Sequence, residues 1–141
     1  MEPLDAAVLP DGALLLVDSA PIIFILEAHK KFAARFAPLF ERHANGEITL
    51  AVTPVTIAEV LTGPLRAGEE ALAARYRAVL EAWQVVDVTC DIADSAARLR
   101  GRYGLKLPDA IQLASALSIN AHALVTHDRD FANVAGLRVL G

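Results

Sequence analysis

Cysteine is nearly absent from this chain: Cys90 is the only one among 141 residues. A lone thiol excludes an intrachain disulfide and suits a reducing cytoplasm. By its context, Cys90 is expected to be a small buried apolar residue where a strand gives way to a helix. Long hydrophobic runs are missing too. The longest, Ala20 to Leu26, falls far short of the ~20 residues that a membrane span needs. Basic residues are absent from Met1 to Ala13, which carries Glu2, Asp5 and Asp11, so this segment does not read as a signal peptide. There is no linker, internal repeat or low-complexity stretch. Excess positive charge is lacking as well, since 13 Lys and Arg face 17 Asp and Glu for a net charge of −4. Taken alone, that argues against a nucleic-acid binder. Yet the basic residues bunch at Lys30, Lys31 and Arg35, and again at Arg98, Arg100, Arg102 and Lys106. Their plain reading is solvated helix faces, although a local patch can bind phosphates whatever the total charge.

What is present is 55% apolar, rich in Ala and Leu, and long enough for one domain with a substantial core. Leu14 to Val17, Ile48 to Val52, Gln84 to Val88, Ala123 to Thr126 and Leu137 to Leu140 read as strands. Helical patterns lie between them. The first follows Ser19 as N-cap with Pro21 in its first turn; the second runs from about Lys30 to His43 and stops at Asn45-Gly46. A third is capped by Thr53, opened by Pro54, and ended or bent at Gly63-Pro64. Others span about Gly68 to Ala82 and Asp91 to Tyr103, the latter stopped by Gly104. The last is opened by Pro108 and carries the stripe Ala110, Leu113, Ala114 and Leu117. Strands alternating with helices predict an α/β sandwich around a mostly parallel sheet.

Four acids stand in informative contexts, Asp18, Glu59, Asp109 and Asp128, with Asp130 close behind. Asp18 and Asp128 each follow an apolar strand, and ligands of an open parallel sheet bind beyond the carboxyl ends of its strands. Asp109 lies in the first turn of a helix, where the dipole favours a carboxylate. Glu59 lies beside the apolar stripe of its helix. Taken singly, each is a cap, a turn former or a solvated charge. Gathered together they repel, and a hard divalent cation held by oxygen ligands would neutralise them. His29, His43 and His122 have no metal-ligand spacing and read as surface or helix-end residues. His127 adjoins Asp128 and is the one histidine worth testing for contact with metal or substrate.

The motifs around these acids are Val17-Asp18-Ser19; Thr56-Ile57-Ala58-Glu59-Val60-Leu61 followed by Gly63-Pro64-Leu65-Arg66; Tyr103-Gly104-Leu105-Lys106-Leu107-Pro108-Asp109-Ala110-Ile111-Gln112-Leu113-Ala114; and Leu124-Val125-Thr126-His127-Asp128-Arg129-Asp130-Phe131. In order and context the set resembles the PIN-domain nucleases, most closely the VapC-type toxins of toxin–antitoxin pairs. One departure is His127, at a place where the family often has Asn. The resemblance implies a PIN domain at residues 14–141 after an N-terminal extension at 1–13, folded as a three-layer α/β/α sandwich. It implies Mg²⁺ or Mn²⁺ held by Asp18, Asp109 and Asp128, with Glu59 or Asp130 as a further ligand and Glu59 orienting water.

Ser19 and Thr126 would fix a carboxylate or a ligated water, and Arg66, Arg129 and His127 are weaker candidates for substrate contact. The implied activity is an endoribonuclease that cuts single-stranded RNA with a metal-activated water, leaving 5′-phosphate and 3′-hydroxyl ends. A tRNA or rRNA loop as substrate, a cognate antitoxin, a homodimer, no membrane and a cytoplasmic location complete the expectation. Other aspartate-based α/β enzymes fit less well. A haloacid-dehalogenase-type phosphatase needs a second Asp where this chain has Ala20, and a receiver domain needs paired acids where it has Asp18-Ser19. The competing class is a PIN-like binding module with weak or no cleavage; loss of an acid would mark it, and no acid is missing.

Overall fold

The computed structural model describes residues 1–131 and 134–141. Five strands, β1 (Leu14–Val17), β2 (Thr49–Val52), β3 (Gln84–Val85), β4 (Ala123–Val125) and β5 (Arg138–Leu140), form one sheet in the order β3-β2-β1-β4-β5. Every pairing in it is parallel. Parallel neighbours need long crossovers, and helices supply them: α1 (Ser19–Leu26), α2 (Ala33–Ala44), α3 (Pro54–Arg66), α4 (Glu70–Glu81), α5 (Cys90–Tyr103) and α6 (Leu107–Ser118). None of the helices described is long and apolar enough to cross a membrane.

Alternation along the strands divides the core in two, because successive side chains point to opposite faces. Leu15, Val17, Leu50, Val52 and Val125 pack with Ile22, Phe36, Leu39, Val60 and Leu80 from α1 to α4. The residues between them, Leu16, Ala51 and Leu124, pack with Ile92, Ala96, Ala110 and Leu113 from α5 and α6. A sheet covered on both faces explains why its strands are apolar throughout. The three-layer α/β/α expectation is met.

Several local expectations are corrected. Cys90 is exposed, because it opens α5 two residues ahead of Ile92, and α5 turns Ile92 and Ala96 inward. The second helix starts at Ala33 rather than near Lys30. His29 Nδ1 accepts the N–H groups of Lys31 and Phe32 at 3.1 and 3.2 Å, holding that stretch in a turn. α3 runs through Pro64 to Arg66; so near a helix end, a proline removes one donor and little else remains to be broken. The third strand has two residues where five were expected.

Residues 1–13 lie against the sheet edge. Glu2 N–H donates to Val139 O at 2.8 Å, and Gly141 N–H donates to Glu2 O at 3.0 Å. Ala6 and Leu9 enter the core. Arg42 clamps this segment, donating to Ala6 O at 2.7 Å, Leu9 O at 2.6 Å and Asp11 at 2.7 Å while pairing Glu47 at 2.8 Å. Arg42→Ala is expected to cost about 1–3 kcal/mol, the scale for stranding hydrogen-bonded groups. It should also speed amide exchange at Val8 and Ala13, whose N–H groups bond within the clamped segment. Unchanged exchange there would show the clamp to be idle.

Candidate metal centre

β1 is followed by β2 on one flank of the sheet, whereas β4 is followed by β5 on the other. Adjacent strands that lead away to opposite flanks make a topological switch point, where a crevice opens beyond their carboxyl ends. Val17 lies opposite Val125 in the register, and the Asp18 N–H donates to Val125 O at 2.8 Å. Asp18 and Asp128 thus leave neighbouring strands into the same crevice.

Asp18 is only 7% exposed, and protein donors hold its carboxylate. Oδ1 accepts from the Ser19 N–H at 2.9 Å and from Gln112 Nε2 at 3.2 Å. Oδ2 accepts from the Thr126 hydroxyl at 2.9 Å. A carboxylate has about four lone-pair positions, so capacity on Oδ2 remains for a cation. Asp18, not Ser19, is therefore the cap of α1. The chain has already turned out of the strand at Asp18, which moves the cap one residue earlier than expected.

Gln112 is the residue that sequence reasoning missed. Its amide, fully buried, donates to Thr56 Oγ1 as well as to Asp18, and accepts from the Thr53 hydroxyl at 2.8 Å. Thr53 Oγ1 in turn accepts the Thr56 N–H at 3.2 Å and caps α3. Asp18 is acceptor-only when ionised, which fixes the Nε2 side of the amide toward it. One side chain of α6 thereby locks the starts of α1 and α3. A signal was present: Gln112 is a polar residue flanked by Leu113 and Ala114 on the buried stripe.

Thr126 joins the two halves of the crevice. Besides donating to Asp18, its buried hydroxyl accepts the Asp128 N–H at 3.0 Å. Asp128 Oδ1 then accepts the Asp130 N–H at 2.9 Å, shaping the short turn at Arg129–Phe131. Asp109, in the first turn of α6, faces this turn. One carboxylate oxygen from each of Asp109, Asp128 and Asp130 lies within 4.8 Å of the other two. Asp109 and Asp128 are half-buried and Asp130 is exposed.

The acids feel one another. Burial first, then Asp128, Asp18 and Asp130, push the Asp109 pKa up to about 6 against the opposing pull of Lys106. Glu59 is exposed as a residue, yet loss of water around its carboxyl group raises its pKa, and Asp18 adds to the rise. A hydrogen bond from Ser19 works the other way. Asp109, Asp128 and Asp130 therefore form the tight set, Asp18 lies within their field, and Glu59 is linked through Asp18. An all-carboxylate set suits a hard divalent cation such as Mg²⁺ or Mn²⁺, whose charge would remove the repulsion that raises Asp109.

The weaker candidates are dispersed. Arg66 is exposed in the last turn of α3. Arg129 lines a cleft with Arg35 and Gly141. The His127 ring packs among Phe24, Phe32 and Phe36.

The PIN-domain family model matches residues 15–137. The chain belongs to the PIN-domain family. No curated protein matches the sequence, but solved PIN structures do. A toxin–antitoxin complex from Klebsiella pneumoniae matches with 27% identity and a TM-score of 0.70, over 87% of this chain and 94% of that one. VapBC2 from Rickettsia felis, bound to a fragment of its promoter DNA, matches with 16% identity and a TM-score of 0.71, over 89% and 96%. VapC20 from Mycobacterium tuberculosis, described as a sarcin–ricin loop cleaving toxin, matches with 18% identity and a TM-score of 0.65, over 88% and 98%. Toxin–antitoxin complexes and a VapC toxin are thus among the structures that this PIN domain resembles.

The raised pKa of Asp109 has a sign that can be tested on the metal-free PIN domain. Its folded value of about 6 lies above the ordinary 3.8, so the fold holds this proton more tightly than the unfolded chain does. The associated stability is complete below about pH 3.8 and is lost as the pH rises through 6. Asp109→Asn should therefore melt higher than the parent at pH 7 in chelator, with the difference shrinking toward pH 4. Equal melting temperatures across that range would show that neither burial nor the neighbouring acids penalise the Asp109 charge.

Proposed function

We propose that this PIN domain is a divalent-cation-dependent endoribonuclease, the toxin of a toxin–antitoxin pair. The observation that carries the reading is the convergence of Asp109, Asp128 and Asp130 within 4.8 Å beside an Asp18 fixed by Thr126 and Gln112. Asp109, Asp128 and Asp130 are the nearest ligands for Mg²⁺ or Mn²⁺, and Asp18 is a further one. Bound there, the cation would offset the charge of a phosphodiester and lower the pKa of water.

The side chains have separate tasks. Thr126 and Gln112 keep Asp18 from rotating away, and the Asp130 N–H does the same for Asp128. Glu59, whose pKa is raised by burial and by Asp18, orients the attacking water. In-line attack on phosphorus breaks the bond to the 3′-oxygen, which leaves a 3′-hydroxyl on one product and a 5′-phosphate on the other. Arg129 and Arg66 contact flanking phosphates. No residue need activate a 2′-hydroxyl.

The toxin role draws on what the neighbours are: one is a toxin–antitoxin complex, and another is described as cutting the sarcin–ricin loop. Single-stranded loops of tRNA or rRNA are accordingly the substrate class. An antitoxin segment bearing Arg or Lys would pair with the crevice carboxylates. Leu65, Val79, Leu107 and Leu117, exposed on helices, supply apolar faces for a homodimer. The cytoplasm, where RNA and a reduced Cys90 coexist, is the proposed location.

Purified protein should cut unstructured RNA with Mg²⁺ or Mn²⁺ and stop in chelator. Asp18→Asn, Asp109→Asn and Asp128→Asn should each lower kcat by ~100-fold or more, since loss of a ligand exceeds the ~10–100-fold typical of its supports. Thr126→Val should fall within that smaller range. Cleavage that survives chelator or the Asp109 change would sink the mechanism. For the toxin role, expression should arrest growth, and a neighbouring antitoxin gene should relieve it; unimpaired growth would argue for a housekeeping nuclease.

A further inference from the structure

Beside the acids lies a group of rings that the proposed chemistry does not use. His127 immediately precedes Asp128, and its ring lies 4.4 Å from that of Phe32. Phe32 is in turn stacked on His29, with centroids 5.1 Å apart and planes inclined by 23°. Phe24 backs both histidines, at 5.0 Å from His29 and 5.2 Å from His127. The row therefore starts at the residue next to Asp128 in the chain and ends at an exposed residue, His29.

Most aromatic groups of this kind are simply core. This one differs at its outer end. His29 is exposed, and so are Lys30 and Lys31, the basic pair noted in the sequence. Lys31 Nζ lies 5.2 Å from the Phe32 ring centre. The His29 ring is also held in place, because Nδ1 accepts the Lys31 and Phe32 N–H groups at 3.1 and 3.2 Å. A fixed π-face and two ammonium groups are the combination that binds single-stranded nucleic acid. The rings stack bases and the cations follow the backbone.

We propose that the His29–Phe32 stack is a base-binding subsite for single-stranded RNA, holding a base of a nucleotide beside the scissile phosphodiester. It rests on the nuclease reading and adds the element that selects unpaired RNA. A paired base has no free face to offer the ring, so a loop or single strand enters and a duplex does not. Lys30 and Lys31 take the neighbouring phosphates.

The test separates the ring from its scaffolding role. His29→Asn keeps an acceptor for the two backbone N–H groups but loses the ring; His29→Phe keeps a ring but loses the acceptor. Binding of a fluorescein-labelled oligoadenylate RNA is read by anisotropy in chelator, and cleavage of the same RNA is read with Mg²⁺. His29→Asn should weaken binding and raise KM by about tenfold, the scale of one lost base–aromatic stack, with kcat little changed. His29→Phe should bind like the parent. On an abasic oligoribonucleotide of equal length, the His29→Asn penalty should vanish.

Parent-like binding by His29→Asn, equal losses in both variants, or a penalty that persists on the abasic strand would overturn the subsite. Cleavage with ring-independent binding would overturn the subsite alone. Ring-dependent binding with no cleavage in Mg²⁺ or Mn²⁺ would overturn the nuclease reading and leave an RNA-binding site.

Discussion

Repulsion among carboxylates at the carboxyl edge of the sheet is the constraint around which this domain is organised. Burial, with Asp128, Asp18 and Asp130 adding to it, lifts the Asp109 pKa to about 6. Nothing in the hydrophobic core favours that arrangement. What permits it is a short polar network in an otherwise apolar interior. Thr126 bonds Asp18 and receives the Asp128 N–H, while Gln112 bonds Asp18, Thr53 and Thr56. A fully satisfied network of this kind is stiff, because any member that leaves strands a buried partner. The Asp18 carboxylate is held by Thr126, Gln112 and the Ser19 N–H, and the Asp128 carboxylate by the Asp130 N–H.

The same network explains why fold and site are difficult to separate. Asp18 is both the cap of α1 and an acid of the crevice, and Gln112 both fills the face of α6 and orients Asp18. Parallel pairing brings Val17 level with Val125, which sets the spacing of the two strand ends to that of a hydrogen bond. Sheet register thus fixes the site with no loop that needs to close. That is consistent with neighbours of 16 and 18% identity superposing over most of their length.

Reading forward from the sequence, the period-two and helical patterns were strong because the sheet is buried on both faces. All five strands and six helices were legible, with ends displaced by a few residues in most. Two of the displaced helix starts share one cause: side-chain–backbone bonds that no hydrophobic pattern encodes. Asp18 takes the Ser19 N–H and shifts a cap, and His29 takes two N–H groups and delays α2. Cys90 was misjudged because residue type outweighed helical phase, although Ile92 and Ala96 marked the inward face. The acids themselves were conspicuous, but their grouping was not. Asp130 lies in the tight trio that Asp18 only borders, since a two-residue turn carries Asp130 back over Asp128.

His127 shows how the two polar and apolar devices meet. Its backbone belongs to the segment that carries Asp128, whereas its ring belongs to the aromatic group of α1 and α2. An asparagine at this place would make one polar contact and leave Phe24 and Phe32 without a packing partner on that side. The histidine instead ties the position of the turn that carries Asp128 to the packing of the α1–α2 connection. A base stacked at the outer end of that row would press on the same segment that carries Asp128. A change from His127 to Asn would remove the ring that joins this segment to Phe24 and Phe32.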